Sequence, residues 1–261
     1  MGNLFVFGLG YSASRVAAAL EVQGWRVEAT GSQGAIAFDD ALAVGEGLRR
    51  ASHVLSSVPP GEAGDPVLAR YGAALAGRWL GYLSSTGVYG DTGGAWVDES
   101  AAIEGRRVER NRADAAWLAL GARVFRLPGI YGPGRSPLDR VRAGTAHRID
   151  SPGQMFSRIH VDDIASGVVA AIAAGVPPGA YNLADDEPAS QNTVIEQACR
   201  LLGAPLPRLQ TLDEADLSPM ARGFHAENRR IANGRLKRAA GWRPRYPTYR
   251  EGLAALIGGP R

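Results

Sequence analysis

Short apolar runs alternate with longer amphipathic stretches along the first two thirds of the chain. The apolar runs predict strands at residues 4–7, 25–30, 35–38, 53–57, 79–84, 123–127 and 180–183. The amphipathic stretches predict helices at residues 11–20, 39–50, 65–77, 107–120 and 161–174. Strands that alternate with helices in this way pair side by side in a parallel sheet, with helices on both faces. The pattern therefore predicts an α/β fold.

The first strand and the first helix are joined by a Gly-x-Gly-x-x-Ala turn, which indicates a nucleotide site. Gly8 permits a sharp turn, Gly10 leaves room for a pyrophosphate, and Ala13 lets the helix pack closely on the strand. Tyr11 and Ser12 open the helix, whose N-terminal N–H groups and dipole attract an anion. We predict a Rossmann-like, doubly wound sheet that binds a dinucleotide here. A plain strand-to-helix turn is the alternative.

The pattern changes at about residue 133, where loops rich in Gly, Pro and Arg surround the remaining helices. We predict an NAD(P)-binding domain at residues 1–132 that also receives segments near 156–184. Residues 133–261 are expected to form an interleaved, smaller and mainly helical substrate lobe. The cleft between the two parts is the expected binding site.

Four further segments resemble motifs of the extended short-chain dehydrogenase/reductases, the NAD(P)-dependent epimerase/dehydratase family. They are residues 82–90 (YLSSTGVYG), 126–134 (RLPGIYGPG), 158–165 (RIHVDDIA) and 181–184 (YNLA), and residues 241–245 (GWRPR) fit a weaker C-terminal pattern. With the glycine turn, the resemblance spans residues 4 to about 184. It implies a nicotinamide cofactor on the sheet and, typically, a nucleotide-sugar or similar substrate in the second lobe.

The resemblance also implies hydride transfer assisted by a Ser or Thr and by a Tyr-x-x-x-Lys pair, in which the lysine lowers the pKa of the tyrosine. Ser85 matches the Ser/Thr position, four residues before Tyr89. It would orient a substrate carbonyl or hydroxyl. Alternatively, its hydroxyl is hydrogen-bonded within its own turn.

The Tyr-x-x-x-Lys pair is absent, because Lys237 is the only lysine. A helix register anchored on residues 113–117 places Arg106 at the tyrosine position and Arg110 at the lysine position, on one helix face. An arginine does not lose its proton at usable pH and cannot be the base. These two residues would instead bind a ribose, a phosphate or an anionic substrate, or lie in solvent.

This absence points to the atypical members of the family, and it leaves three mechanisms open. Tyr89 or Tyr131 would supply a phenol from another direction, or an acid such as Glu104 or Glu109 would be the base. In the third, the protein binds a nucleotide without turning it over.

The nature of the cofactor depends on the end of the second strand. A carboxylate about 20 residues beyond the glycine turn normally binds the ribose of NAD. Thr30 and Ser32 stand there instead, while Glu28 lies mid-strand and would point away. We therefore predict NADP, with NAD as the alternative. Further cofactor contacts are expected at the ends of later strands, at Ser56, Val58, Pro59, Ser84 and Leu127.

The substrate side is less specific. Tyr131, Arg135 and Arg158 are candidate substrate residues, although Tyr131 would equally pack as a wall and Arg135 would equally lie in solvent. Residues 98–100 form a polar loop expected near the substrate. Residues 160–163 (HVDD) predict a helix start rather than a catalytic dyad, because acidic residues suit the first turn.

Composition narrows the class of protein. The 261 residues carry a net charge of +3, and eight basic residues crowd the C-terminal part without a nucleic-acid motif, so no nucleic acid is expected. The four histidines lack metal-ligand spacing. No secretory leader or membrane span is visible, and the lone Cys199 favours a reducing, cytoplasmic setting. A homodimer is expected only by analogy with the family.

Together these features predict an NAD(P)-binding protein of the epimerase/dehydratase family with an atypical active site. It would be an oxidoreductase or epimerase acting on a sugar-nucleotide-like small molecule. The alternative is a non-catalytic sensor or regulatory protein in which Arg106 and Arg110 mark a lost active site.

Overall fold

A computed structural model describes residues 2–217, 222–223 and 225–258. The strands are β1 (Asn3–Phe7), β2 (Arg26–Ala29), β3 (His53–Ser56), β4 (Trp79–Ser85), β5 (Trp96–Val97), β6 (Arg123–Leu127), β7 (Gly129–Tyr131), β8 (Arg148–Ile149), β9 (Arg158–His160), β10 (Gly179–Asn182), β11 (Leu209–Gln210) and β12 (Arg230–Ile231). The helices are α1 (Tyr11–Glu21), α2 (Ala41–Arg50), α3 (Pro66–Tyr71), α4 (Val108–Ala119), α5 (Pro137–Arg142), α6 (Val161–Ala173), α7 (Gln191–Leu202), α8 (Gly234–Ala240) and α9 (Tyr249–Gly258).

Six strands form one parallel sheet in the order β10-β6-β4-β3-β1-β2. Side chains of β1 alternate between its faces, as strand geometry requires. Leu4 and Val6 join a core with α1 and α6, while Phe5 and Phe7 join a core with α2, α3 and α4. The sheet is thus covered by helices on both faces, and the predicted Rossmann-like α/β class is confirmed.

The second half of the chain builds a smaller core of its own. Side chains from α5, α7 and α9 cluster there, among them Leu138, Val194 and Leu253. The chain also returns to the large sheet, because β10 pairs with β6 and α6 packs beside α1. The division into domains at residue 132 remains a prediction.

Residues 35–38 are not a strand, contrary to the prediction. Only Ile36 makes a β-bridge, to Thr30, and Ile36 and Phe38 pack against the core from a connecting segment. Gly34 lies so close to β2 that a Cβ atom on it would meet the Ala29 carbonyl oxygen at 2.4 Å. Glycine at residue 34 therefore permits this close approach, after which the chain forms a single bridge at Ile36 instead of a strand. The helix α2 then lies between β2 and β3, as in an ordinary βαβ unit.

Most other predicted elements are present with shifted ends. The predicted helix at residues 65–77 is α3 followed by a 3₁₀ turn, because Asp65 caps α3 at Val67 and Leu68. Residues 160–163 open α6, with His160 as its N-cap. In the part of the chain that the structure describes, no helix combines the length and apolar character needed to cross a bilayer.

Candidate cofactor and substrate cleft

A cleft of about 950 Å³ lies along the carboxyl ends of the central strands. It begins at the end of β1, which has β2 as its neighbour on one side and β3 on the other, so that the strand order reverses there. This switch point is where open α/β sheets bind ligands. The far wall is built by residues 134–158 and by parts of α7 and of residues 223–231.

The glycine turn forms one end of this cleft. Gly8 has a φ of 81°, and a Cβ on it would meet Val58 Cγ2 at 2.9 Å, so the turn itself requires glycine there. Gly10 has extended dihedrals that any residue adopts (φ −114°, ψ −163°), and a Cβ on it would meet nothing closer than 3.9 Å. Gly10 lines the cleft with Tyr11 and Ser12. The fold leaves open space in front of Gly10.

The predicted ribose residues have other contacts. Thr30 is buried, and its hydroxyl accepts a hydrogen bond from the Gly8 N–H at 3.2 Å. Its role is to brace the turn, and the expectation that its hydroxyl meets the ribose is corrected. Ser32 is exposed outside the cleft lining. Glu28 accepts two hydrogen bonds from Arg50 at 2.9 and 2.7 Å, so its carboxylate is occupied.

The strand ends contribute unequally to the cleft. Pro59, Ser84 and Leu127 line it, and so does Ser57, whose hydroxyl donates to the Gly8 carbonyl. Ser56 and Val58 do not line the cleft, and neither does Ala13, which lies on the buried face of α1 that packs on the sheet. Five of the predicted cofactor residues therefore build the turn and the strand ends without lining the cleft themselves: Gly8, Ala13, Thr30, Ser56 and Val58.

Ser85 lies at the cleft floor, where β4 ends. Its Oγ accepts a hydrogen bond from the Gly87 N–H at 3.1 Å, which begins the 3₁₀ turn of residues 86–89. The hydroxyl proton of Ser85 remains available to a ligand. Both interpretations of this serine, turn cap and substrate contact, are compatible with the geometry.

Tyr89 does not face the cleft, which corrects its assignment as a catalytic phenol. Its hydroxyl donates to Asn182 Oδ1 at 2.7 Å and accepts from Arg126 at 3.0 Å, and the side chain is buried. Burial raises the pKa of Tyr89, although Arg126 opposes this. Arg126 also donates to Asp114 at 2.7 and 3.1 Å, and Asp114 accepts from Ser84 at 2.6 Å. Tyr89 is part of a closed, buried network.

Tyr131 lines the cleft with its ring, but its hydroxyl points into α9. A Cβ placed on Gly252 would lie 2.0 Å from that oxygen, so only glycine leaves it room. Burial raises the pKa of Tyr131 above the ordinary range, with the nearby Asp185 contributing. Tyr131 is a wall of the cleft, and the alternative in which it supplies a phenol is wrong on geometry. Neither Glu104 nor Glu109 lines the cleft.

The predicted arginine pair does not share a helix face. The α4 helix begins at Val108, so Arg106 precedes it and only Arg110 lies in its first turn. Arg106 donates to Glu227 at 2.6 Å and to the Gly223 carbonyl at 2.6 Å. Both arginines nevertheless line the cleft.

Glu227 also accepts from Arg229 at 2.6 Å, and its own side chain is 10% exposed. We call the three residues Arg106, Glu227 and Arg229 the latch. Their hydrogen bonds connect Arg106, beside the cleft, to Gly223 and to residues 227–229. Glu227 has a lowered pKa, because its hydrogen bonds to the two arginines outweigh burial.

The substrate candidates Arg135 and Arg158 both line the cleft, in different ways. Arg135 is exposed and lies 5.7 Å from the ring centroid of Tyr11. Arg158 is 7% exposed, and its guanidinium donates to two backbone carbonyl oxygens and to Gln191. The loop at residues 98–100 lies away from the cleft, where Glu99 accepts from the Asn182 N–H at 2.7 Å at the sheet edge.

Sequence reasoning missed three arginines of the cleft: Arg107, Arg140 and Arg229. Their only signal was the excess of arginine over lysine, which does not say where each side chain lies. Lys237 pairs with Asp186 outside the cleft. Within the described residues, no three His, Cys, Asp or Glu side chains are grouped as metal ligands.

No protein-family model matches the sequence. A functionally unknown conserved protein from Silicibacter pomeroyi DSS is 43% identical, with 98% of each chain covered and a TM-score of 0.87. A human epimerase family protein, solved with NADPH, is 18% identical over 97% of this chain and 98% of its own, with a TM-score of 0.77. This chain therefore shares its Rossmann-like fold with the Silicibacter pomeroyi protein and with the human epimerase family protein.

One curated relative has a stated activity. A 3-diazoavenalumate denitrifying reductase from a Streptomyces species is 34% identical over 145 residues, which is 51% of this chain and 46% of the relative. The matched region thus spans about half the length of that relative. The fold family accounts for the position of the cleft at the sheet's carboxyl edge.

Proposed function

We propose that this protein is a member of the epimerase/dehydratase family, that it binds NAD(P) on the carboxyl edge of the sheet, and that it reduces a small molecule in the same cleft. The observation that carries the proposal is Gly10. The fold requires glycine at Gly8, whereas nothing in the protein itself requires it at Gly10. A glycine that the backbone does not need, at the opening of α1, is explained by a ligand that lies against it.

The residues around Gly10 fit a dinucleotide. Gly10 is the N-cap of α1 and lines the cleft with Tyr11 and Ser12 of its first turn, so a pyrophosphate would lie at this helix N-terminus. Ser57 and Pro59 would follow the cofactor along the end of β3, and Ser84 and Leu127 along the next strands. A bound nicotinamide would supply the hydride for reduction.

NADP is the proposed form of the cofactor. Glu28 is held by Arg50 and is not available to a ribose, and no carboxylate follows it before Ser32. The 2′-phosphate of NADP would therefore meet no repulsion at this end of β2. Ser32 remains the proposed contact for it. NAD is the alternative, because no arginine is assigned to that phosphate.

In the reaction, the chain's own groups would orient the substrate. Ser85 would donate its free hydroxyl proton as a hydrogen bond to a substrate oxygen or nitrogen. Arg110, at the first turn of α4, would hold the cofactor ribose or a phosphate. Neither Tyr89 nor Tyr131 offers its phenol to the cleft. The proposed reduction is a hydride transfer in which the hydride would come from the nicotinamide and the proton from water that reaches the cleft, without Tyr89 or Tyr131, and this fits a reductase better than an epimerase.

The reductase that matches half of this chain supports this class of reaction. The family resemblance implies a sugar-nucleotide-like substrate, which is one candidate for the molecule that is reduced. The second function is a sensor that binds NAD(P) without turnover, and the missing Tyr-x-x-x-Lys pair favours it. We also propose the two-part division near residue 132, and a reducing, cytoplasmic setting that fits the lone buried Cys199.

A glycine substitution tests the cofactor site. Gly10→Val should leave folding intact and abolish NADPH binding, because the added methyl groups fill the space of the pyrophosphate. Intrinsic fluorescence titrated with NADPH, NADH, NADP and NAD measures the affinities. Gly45→Val is the matched control, since a Cβ on Gly45 would meet nothing within 4 Å and this residue lies on α2, away from the cleft. Unchanged NADPH affinity in Gly10→Val would remove the proposed site.

A further inference from the structure

The cleft wall built by residues 134–158 combines two guanidinium groups with apolar side chains. Arg140 projects from α5 and Arg158 from β9. Ile149, Met155 and Phe156 line the same part of the cleft. This combination has no role in binding the dinucleotide at the glycine turn.

The two arginines lack an anionic partner that accepts their hydrogen bonds. Among the described residues, no side chain or backbone group forms an ion pair or a hydrogen bond with the Arg140 guanidinium. The acceptors of Arg158 are the carbonyl oxygens of Phe156 and Ala189, both at 2.8 Å, and Gln191 Oε1 at 3.2 Å. These acceptors are uncharged.

Arg158 is also unfavourably placed as a cation. Burial, together with the positive charge of Arg140, lowers the pKa of Arg158 to about 10, although Asp185 opposes the shift. Asp185 makes no hydrogen bond through either carboxylate oxygen. An anion between the two guanidinium groups would relieve this repulsion and accept charge-assisted hydrogen bonds.

We propose that Arg140 and Arg158 bind the carboxylate of an apolar organic acid, whose hydrocarbon body lies against Ile149, Met155 and Phe156. This inference rests on the proposed function and names its substrate class. The reducible group of the acid would then extend from this wall toward Ser85 and the strand ends.

The cleft is poorly supplied for a sugar. Its described lining contains three carboxylate or amide side chains, which are Asp139, Gln191 and Glu227. Asp139 accepts from Ser136 in a capping box, Gln191 accepts from Arg158, and Glu227 belongs to the latch. These carboxylate and amide oxygens are therefore already used, which leaves fewer strong acceptors for sugar hydroxyls, and a hydroxyl buried without a partner is costly.

Two further polar residues of this wall are also engaged. Thr145 donates to the Arg140 carbonyl at 3.4 Å, and His147 is hydrogen-bonded to Gln210 at 3.2 Å. The charged groups of this wall that lack an anionic partner are therefore Arg140 and Arg158, and Ile149, Met155 and Phe156 beside them are apolar. An acid with a hydrocarbon body matches both features, whereas the hydroxyl-bearing body of a sugar does not match the apolar side chains.

Calorimetric titration of the full chain saturated with NADP tests this assignment. The probes are 3-phenylpropanoate, its neutral counterpart 3-phenylpropanol, acetate and UDP-glucose. We expect 3-phenylpropanoate to bind at least about tenfold more tightly than the alcohol, since a charge-assisted pair is worth that much or more. Acetate should bind weakly, because it lacks the apolar body. UDP-glucose should bind more weakly than 3-phenylpropanoate.

Arg140→Gln should lower the affinity for 3-phenylpropanoate by about tenfold or more and leave the affinity for NADPH unchanged. Arg142→Gln is the matched control, because Arg142 lies on the same helix, outside the cleft, and pairs with Asp139. Tighter binding of UDP-glucose, no saturable binding of 3-phenylpropanoate, or an unaffected Arg140→Gln would each overturn the assignment. Loss of the proposed function is distinguished separately, because NADPH would then fail to bind wild-type protein.

Discussion

Arg126 and Arg140 carry the same charge in opposite surroundings. Arg126 is 2% exposed, and Asp114, together with the hydroxyl of Tyr89, accepts its hydrogen bonds. Arg140 is exposed to the cleft and has no such partner among the described residues. Arg126, which is paired with an anion inside the core, therefore stabilises the fold. Arg140, whose charge has no anionic partner, is available to a ligand. The latch residue Arg106 is intermediate, since it is half exposed and paired.

The largest effect is expected in the core. Arg126→Met should lower the free energy of unfolding by about 3–5 kcal/mol, because it leaves the Asp114 carboxylate buried without its cation. Urea unfolding followed by fluorescence measures the change. Arg107→Met, in the cleft lining, is the matched control and should change stability by about 0.5 kcal/mol or less. Equal losses in the two variants would abolish the distinction between core and cleft arginines.

The latch should give a smaller effect. Arg106→Ala removes the hydrogen bonds to Glu227 and to the Gly223 carbonyl, and Arg106 is half exposed, so the loss should stay below about 1 kcal/mol. Amide hydrogen exchange of the peptide covering residues 225–230 should accelerate, with global stability little changed.

Arg107→Ala tests whether the effect belongs to the latch, since Arg107 lies beside Arg106 but does not contact Glu227. If Arg107→Ala accelerated the same amides equally, the hydrogen bonds of Arg106 would not be what holds this segment.

The smallest expected effect is on the pH dependence of stability, and it concerns a buried histidine, His160. Burial lowers the pKa of His160, with Arg15 and Arg245 adding to the shift and Asp162 opposing it. The folded state therefore binds fewer protons here than the unfolded state. The contribution of neutral His160 to the stability of the folded state is fully present above the unfolded pKa of about 6.5, and it is lost as the pH falls below that value toward the lower pKa of the folded state.

His160→Asn keeps an N-cap for α6 but removes this titration, so the drop in Tm between pH 7.5 and 5.5 should become smaller. Differential scanning calorimetry at both pH values measures it. Part of the drop should remain, because burial also lowers the pKa of His53 and His225. An unchanged drop would show that His160 does not contribute to the pH dependence.

Local sequence carried most of the fold. The alternation of β1 and the turn at Gly8 are properties of neighbouring residues, and they place the cleft without knowledge of the rest of the chain. The strand predicted at residues 35–38 is wrong because an apolar alternation predicts a strand even where no neighbouring strand is available to pair with it. Only the close contact of Gly34 with β2 decides it.

The candidate site was predictable in part, because its contacts join distant residues. Tyr89 meets Asn182 across 93 positions, and nothing in its own motif shows that its hydroxyl is already used. The start of α4 was misplaced for a similar reason. Gly105 is fixed against the Gly87 carbonyl, where a Cβ would lie at 2.1 Å, and this contact holds the chain extended past Arg106. The three missed cleft arginines have no local signature at all.

The single lysine has a practical consequence for chemical labelling. Lys237 lies on α8, outside the cleft, and is paired with Asp186. Reagents that modify lysine side chains would therefore attach a dye there without touching the ligand site. Dicarbonyl reagents, which attack guanidinium groups, would instead inactivate the cleft, and a bound dinucleotide or acid would protect it. Covalent inhibitors that seek a lysine would find none in this cleft.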